Sequence, residues 1–486
     1  MRSELQRNRR PLAFYVVCCG MLMVVLDTTI VTVALPSMVA DLHLPGVALT
    51  WMLNAYMLTF GGFLLLSGRL GDLFGPRRVF LTGIGAFTLA SLVCGISRNE
   101  ALLLVGRAVQ GVSGAAVTAV SLSLIIQLFS TQSDRAKALG IYGFICAAGG
   151  GIGDLLGGVL ADVLSWHWIF LVNVPIGVVV YAYCALTLPQ DEKPNQPGKL
   201  DVGGALAITA ALTLAVYTLV NAPASGWTSL RSWTPLLGSA ALFLLFFTIE
   251  ANVTHPLVRL TLFRRRTFSL MNILGVLWAA GAYAWFVISP LYLQRILHYS
   301  PFQTGIAFLP ATLLMGIFSA GLSERLVTRL GVRHSLGMGM LLIATGLTLF
   351  ARAPVNGTFW FDVLPGMLLV GMGGGMASTP LLLAAMSGVD EAESGLASGI
   401  VNTAFMMGGA VGLALLVGLA AARTGELQRL GLEPVAALNG GYHFAFLSGA
   451  VLALTAAAIG MSIAPAAPHS TSPSEASPPP HTSSAP

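Results

Sequence analysis

The stretch "LAFYVVCCGMLMVVLDTTIVTVAL" (Leu12–Leu35) decides the fold, because it is a long apolar run with a single charged side chain, Asp27. A helix of about 20 apolar residues crosses the hydrocarbon core of a bilayer. The run therefore predicts a membrane span. A charged side chain at the centre of such a span costs about 3 kcal/mol on insertion scales, and such groups usually face an internal cavity and mark function. Asp27 is therefore the first candidate functional residue.

The composition of the whole chain extends this prediction. Of the 486 residues, 55% are hydrophobic and only 9% are charged, whereas about 25% charged residues are usual in soluble domains. The five cysteines lie in apolar segments without metal-ligand spacing, so we expect small core residues rather than metal ligands. We expect no cofactor, no metal and no nucleic-acid partner, since the excess of positive charge is better explained by membrane orientation.

Fourteen apolar segments are predicted as transmembrane helices. They are residues 12–35, 48–68, 79–97, 101–126, 138–161, 167–188, 202–220, 234–250, 269–293, 304–323, 335–352, 362–386, 396–421 and 443–464. With the N-terminus in the cytoplasm, eighteen of the 25 Lys and Arg residues fall in inside segments and six in outside loops. This bias is the positive-inside rule. It predicts an all-α polytopic protein of the inner (cytoplasmic) membrane with both termini cytoplasmic.

Two segments recur along the chain. "SGRLGDLFGPRR" (Ser67–Arg78) resembles "SERLVTRLGVRH" (Ser323–His334), and "ALGIYGFICAAGGGIG" from Ala138 resembles "ASGIVNTAFMMGGAVG" from Ala397, at nearly the same offset. Internal repeats are typical of transporters. We therefore predict a six-helix half over residues 1–190, a two-helix insertion with linkers over 191–265, a second six-helix half over 266–464, and a disordered cytoplasmic tail over 465–486, where the composition is rich in Pro, Ser and Thr.

Five motifs, in order, resemble the major facilitator superfamily, in particular its fourteen-helix drug:H⁺ antiporter branch. They are "LDTTIVTVALP", "GRLGDLFGPRR", "RAVQGVSGAA", "SWHWIFLVNVPIG" and "YSPFQTGIAFLP". The resemblance implies a 6 + 2 + 6 helix arrangement, H⁺ as the coupling ion, and a proton-coupling role for Arg107. It also implies that the loop after the second span is a conformational latch, whose residues are Gly68, Asp72, Gly75, Arg77 and Arg78.

The helix-5 motif of this branch departs from the family pattern. The branch has a proline after the second glycine of a Gly-x-x-x-Gly pair, but this chain has Asp154 there. The glycines of the motif remain, namely Gly149, Gly153, Gly157 and Gly158. Three interpretations of Asp154 stay open: a second proton site, an acidic contact for a cationic substrate, or a water-facing substitution that loosens helix packing.

The residues themselves also indicate proton chemistry. Desolvation favours the neutral form of a carboxyl group, so Asp27 is a candidate for taking up and releasing a proton. Arg107 begins a polar stripe with helical spacing, which continues through Gln110 and Thr118. A guanidinium does not deprotonate in practice, so Arg107 is expected to tune a nearby carboxyl group rather than carry the proton. The alternative for each residue is a structural polar contact between helices.

The substrate pocket is predicted from polar, aromatic and Met side chains within spans, which suit amphipathic molecules. These residues are Asn54, Tyr56, Gln110, Trp278, Tyr283, Trp285, Asn402, Phe405 and Met406. We predict a monomeric exporter of amphipathic, cationic drugs or an antibiotic, in exchange for H⁺. Two alternatives stay open: an H⁺-coupled uptake transporter for a metabolite, and, from a different class, a non-transporting membrane sensor or membrane enzyme.

Overall fold

The computed structural model describes residues 2–43, 46–129, 131–191, 200–226, 229–253, 256–387, 389 and 393–462. Within these residues the chain is all helical and contains no strand. Helices are expected here, because each one satisfies its backbone donors and acceptors internally where no water is available. The predicted disordered tail (465–486) and most of the linker after residue 191 lie outside the described residues.

Fifteen α-helices make up the described part of the chain. In order they are α1 (Arg2–Asp41), α2 (Gly46–Phe74), α3 (Pro76–Gly95), α4 (Glu100–Leu128), α5 (Gln132–Val163), α6 (Trp168–Leu171), α7 (Asn173–Thr187), α8 (Val202–Ser225), α9 (Leu230–Asn252), α10 (Arg266–Arg295), α11 (Pro301–Ile317), α12 (Ser323–Phe350), α13 (Leu364–Met386), α14 (Ser394–Arg429) and α15 (Pro434–Met461).

Thirteen helical segments of the described chain are long and apolar enough to cross a membrane. The tenth predicted span falls on α11, which has 17 residues and continues into a π-helical turn at Phe318–Leu322. The protein is thus a multi-pass, all-helical membrane protein. The count of fourteen spans and the cytoplasmic location of the termini stay predictions.

The repeated loop carries a glycine with an unusual backbone in both copies. Gly75 is the single residue between α2 and α3 and has a φ of 92°. Its counterpart Gly331 interrupts α12 with a φ of 80° and a ψ of 163°. L-residues with a side chain rarely adopt such angles, whereas glycine does so without steric cost. The two loops therefore share a backbone device as well as sequence.

The second repeated segment also packs in the same way in both copies. Its glycines let α5 approach α1 and let α14 approach α10, since a Cβ at each would collide with the facing helix. The facing pairs are Gly149 with Val25, Gly153 with Thr29, Gly408 with Val276, and Gly412 with Ala280. The division of the chain at residues 190 and 266 itself stays a prediction.

The helices of the predicted insertion differ in their packing. Helix α8 packs against α9 and also against both α2 and α14, which contact each other. On α2, Gly62 faces Thr209 of α8 so closely that a Cβ would overlap the threonine hydroxyl. Helix α9 is mostly exposed along its membrane-spanning stretch. Of the two inserted helices, α8 therefore makes the main contact with the α2–α14 junction.

Replacing Gly331 tests the backbone at the break in α12. Gly331→Ala should lower the free energy of unfolding by about 1–3 kcal/mol, because the angles are strained for any L-residue, although open space surrounds the position. Thermal unfolding of the purified protein measures the change.

The matched control is Gly316→Ala in α11, where a Cβ also meets nothing within 4 Å but the backbone is helical. This substitution should be neutral or slightly stabilising. Equal effects of the two substitutions would contradict the assignment of strain to Gly331.

Candidate functional site

A buried network surrounds Asp27 on α1. Its Oδ2 accepts a hydrogen bond from Arg107 Nη1 of α4, and its Oδ1 accepts from Gln110 Nε2 at 2.9 Å and from Asn173 Nδ2 of α7 at 3.2 Å. Asp27 is 0% and Arg107 1% exposed. An ion pair removed from water is stable only when further hydrogen bonds satisfy its remaining atoms, and this network provides them.

The guanidinium of Arg107 is held from several sides. Its Nε donates to the carbonyl oxygen of Met52 at 3.1 Å, and Nη1 also donates to Gln110 Oε1 at 3.0 Å. The ring of Tyr56 lies 4.5 Å from the guanidinium carbon, which adds a cation–π contact. The arginine therefore joins α4 to α1 and α2.

The structure brings together Asp27 and Arg107, as the sequence predicted, and adds residues that the prediction missed. Asn173 lies within the quoted motif "SWHWIFLVNVPIG", and Ser91 Oγ accepts from Gln110 Nε2 at 2.9 Å. A lone asparagine inside an apolar helix was the available signal for Asn173. For Ser91 there was no signal, because serine is common on transmembrane helices.

A small cavity adjoins this network. It has a volume of about 10 Å³ and is lined by Thr28, Thr32, Leu53, Tyr56, Met57, Arg107 and Tyr283. A space of this size holds one water molecule. A drug-sized ligand needs about 300–1,000 Å³, so transport of such a ligand requires the helices around this cavity to separate.

Asp154 does not line the cavity but contacts Thr32, which does. Thr32 Oγ1, whose residue lines the cavity, donates to Asp154 Oδ1 at 3.3 Å. Asp154 is 1% exposed, and its Oδ2 has no hydrogen-bond partner among the described residues. Asp154 is therefore a buried carboxyl group at the junction of α5 with α1 and α11, not a water-facing substitution. The interpretation as a water-facing residue is wrong for this conformation.

The predicted substrate residues fall into two groups. Tyr283, Phe405, Met406 and Trp278 form one cluster: the Phe405 ring lies 5.2 Å from that of Trp278 and 6.4 Å from that of Tyr283, and Tyr283 Oη donates to Met406 Sδ at 3.9 Å. Tyr283 and Tyr56 both line the small cavity. An aromatic and Met surface from α10 and α14 therefore faces the polar network across that cavity.

The other predicted substrate residues lie elsewhere. Gln110 belongs to the Asp27 network, and Trp285 packs on Phe308 of α11 with a ring distance of 5.1 Å. Asn402 is exposed and donates to Ser398 on its own helix. Asn54 is fully buried, and its amide nitrogen and oxygen have no partner among the described residues. Of these four, only Gln110 touches the polar network.

The latch loop is organised by a residue outside it. Asp191 accepts hydrogen bonds from the backbone nitrogens of Arg77 at 2.9 Å and Arg78 at 3.0 Å, so it caps the first turn of α3. Arg77 Nη2 donates to the carbonyl oxygen of Ala185 at 2.7 Å. Asp72 is largely exposed and lies 3.5 Å from Arg69. The predicted loop is mostly helical: Gly68 and Asp72 lie on the last turns of α2, and only Gly75 lies between α2 and α3. Around Gly68 there is open space.

The helix-5 glycines divide between two neighbours. Gly149, Gly153 and Gly157 face α1, whereas Gly158 faces the start of α11, where a Cβ would lie 2.5 Å from the carbonyl oxygen of Pro301. The motif therefore keeps its close-packing role although the proline is absent.

Comparisons with known proteins identify relatives along most of the chain. The family model of the Major Facilitator Superfamily matches residues 17–413. The chain is 35% identical to the puromycin resistance protein pur8 of Streptomyces alboniger, over 92% of this chain and 90% of that protein. It is also 35% identical to the cephamycin export protein CmcT of Amycolatopsis lactamdurans, over 83% and 84% of the two chains.

Solved structures share the fold at low identity. The structure of a bacterial homologue of the human lysosomal transporter Spinster, inward-facing and occupied, superposes with a TM-score of 0.67 at 14% identity and covers 93% of this chain and 96% of that one. At this identity the likeness shows the fold alone.

Breaking the buried ion pair tests its energetic weight. Arg107→Met should lower the free energy of unfolding by about 3–5 kcal/mol, because it leaves a buried carboxylate without its cation. The double variant Asp27→Leu/Arg107→Met should lose less than the single one. Chemical or thermal unfolding in detergent measures both.

The matched control is Arg69→Met, which breaks the exposed contact with Asp72. That change should cost no more than about 1 kcal/mol. A double variant that is less stable than Arg107→Met would contradict the role of Arg107 as the partner of a buried charge.

Proposed function

The chain belongs to the Major Facilitator Superfamily, and we propose that it is a proton-coupled exporter of amphipathic, cationic drugs or an antibiotic. As a member of this family it is a membrane transporter and not an enzyme. The proposal places it as a monomer in the cytoplasmic membrane, with fourteen spans and both termini in the cytoplasm. Export is supported by the names of the relatives, which describe resistance to puromycin and export of cephamycin.

The observation that carries proton coupling is the buried pair of Asp27 and Arg107. With three donors on its two oxygens, Asp27 is arranged here as a carboxylate. A proton arriving on Asp27 cancels its charge and leaves Arg107 with Gln110 Oε1 and the Met52 carbonyl oxygen as acceptors. The bond that joins α1 to α4 then weakens, so proton uptake is linked to a change in helix packing.

Alternating access follows from where this change acts. Helix α1 also meets α5 through the glycines and α10 through Gln294, whose Nε2 donates to the Val33 carbonyl oxygen at 2.9 Å. A shift of α1 therefore reaches the contact between the two predicted halves. In the proposed cycle Asp27 takes its proton from outside and releases it to the cytoplasm, while substrate leaves through a cavity that forms between the Asp27 network and the aromatic cluster.

Removing the charge of Asp27 tests the proposal. Asp27→Asn should lower the rate of pH-driven export in proteoliposomes at least tenfold, because asparagine cannot take up and release a proton. The protein should remain folded but less stable, because the amide keeps the shape of the carboxyl group while Arg107 loses its buried anion. Puromycin is the first probe, followed by a panel of cationic amphipathic drugs.

The control is Asp134→Asn, which removes an exposed carboxylate at the start of α5 and should leave export unchanged. Unchanged export by Asp27→Asn would refute coupling through this residue. Substrate uptake along an inward proton gradient, instead of export, would favour the symport alternative. Ligand binding without any flux would favour a sensor.

Asp154 is proposed as a second proton site. Its free Oδ2 and the single bond from Thr32 favour the protonated form, because the group is buried and no cation pairs with it among the described residues. Asp154→Asn should reduce the number of protons exchanged per substrate by one. The flux-reversal point at a series of imposed pH gradients measures this number.

The comparison variant is Asp154→Pro, which restores the residue of the family motif and also removes the carboxyl group. Both variants should then show the same proton count. A proton count equal to that of the unsubstituted protein in both would assign Asp154 to packing or substrate contact.

A further inference from the structure

A second pair of buried carboxylates lies outside the proposed transport path. Asp201 precedes α8 and Glu250 lies in the last turn of α9, and their exposures are only 5% and 4%. Each uses one oxygen in the fold: Asp201 Oδ1 accepts from Gly204 N at 2.7 Å, and Glu250 Oε2 accepts from Val258 N at 3.1 Å. Asp201 therefore caps the start of α8, and Glu250 holds the linker that follows α9.

The other carboxylate oxygen of each residue accepts no hydrogen bond from the described residues. Asp201 Oδ2 and Glu250 Oε1 have no hydrogen-bond partner among the residues described. Both point to the same place, because a Cβ on Gly204 would lie 2.6 Å from Asp201 Oδ2 and 3.1 Å from Glu250 Oε1. The two oxygens are thus no farther apart than the sum of these distances, and the glycine leaves the space between them free of a side chain.

The residues around the pair are apolar and do not stabilise its charges. Leu66 of α2, Ala205 of α8 and Leu257 of the linker form an apolar cluster there. Two unpaired negative charges in such a place repel each other and lack solvation, which favours binding of a positive species between them.

The charged residues on the neighbouring elements pair with other residues or lie away from Asp201 and Glu250. Helix α8 has none besides its capping Asp201, and α9 has only Arg231, at its opposite end. Arg69 lies beside Asp72 at the end of α2, and Arg259 pairs with Glu393 before α14. The linker also carries Arg264 and Arg265, and neither donates to the two free oxygens.

We propose that Asp201 and Glu250 share one proton, as a carboxyl–carboxylate hydrogen bond at the base of the inserted helices. The ligand is a proton rather than a metal ion, since no third His, Cys, Asp or Glu joins the pair within the described residues, and Ca²⁺ or Mg²⁺ needs about six oxygen ligands. Because α8 rests on both α2 and α14, loss of this proton at high pH loosens the support of the α2–α14 junction.

The test measures thermal stability against pH in the full-length protein. Apparent melting temperature should fall as pH rises until the shared proton has left, because over that range the folded protein holds a proton that the carboxylates of the unfolded chain have already lost. Glu250→Gln places an amide donor where the shared proton would be. It should keep the fold and remove this part of the pH dependence, and Asp201→Asn should do the same.

Difference infrared spectroscopy gives a second readout. The unsubstituted protein should show a protonated carboxyl band, sensitive to exchange into D₂O and still present in Asp154→Asn, that Glu250→Gln lacks. Glu433→Gln is the matched control: Glu433 occupies the capping position of α15 but is exposed and makes no side-chain cap bond, so both readouts should stay unchanged.

Two results would overturn the proposal. In the first, Glu250→Gln keeps both the carboxyl band and the pH slope. In the second, added Na⁺ at fixed pH raises the melting temperature of the unsubstituted protein but not of Glu250→Gln, which would assign a metal cation to the pair. Because neither readout involves transport, the proposal can fail while the proposed export stands, and the converse holds as well.

Discussion

The structure depends on keeping a charge pair buried in a helical membrane protein. Asp27 and Arg107 would each be costly alone in this environment, and together they are stable only because Gln110, Asn173 and the Met52 carbonyl group complete their hydrogen bonds. These groups come from α1, α2, α4 and α7, so the need to satisfy one ion pair fixes how four helices sit relative to one another. Glycine also lets α4 and α2 pack closely beside the ion pair, since a Cβ on Gly111 would collide with the carbonyl oxygen of Tyr56.

The sequence predicted the parts of the site that involve strong physical penalties. A carboxylate and a guanidinium within apolar runs were visible at once, and the glycine spacing of the repeat correctly indicated close approach of helices. Asp191 was not predicted, because its function as a cap depends on the loop bringing it back to α3. Trp285 and Tyr283 are two residues apart and equally aromatic, yet they point to different neighbours. Hydrophobic pattern alone does not tell which face of an all-apolar helix meets a cavity.

The two copies of the second repeated segment pack in the same way but adjoin different chemistry. In the first, Asp27 lies between Val25 and Thr29, which meet Gly149 and Gly153 of α5. In the second, the residue in the corresponding place between Val276 and Ala280 is Trp278. One scaffold position therefore carries a charge in the first half and an aromatic ring in the second. Asp27 belongs to the buried polar network, whereas Trp278 belongs to the aromatic cluster with Phe405.

Because α8 packs on one side of the protein, the helix junctions on the two sides differ in their exposure. Helix α8 covers the α2–α14 junction, whereas at the α5–α11 junction Phe144, Leu313 and Ile317 are exposed. Apolar side chains are therefore exposed at the α5–α11 junction, whereas α8 packs on the α2–α14 junction. A molecule dissolved in the bilayer meets an uncovered edge on the α5–α11 flank and a closed flank on the other.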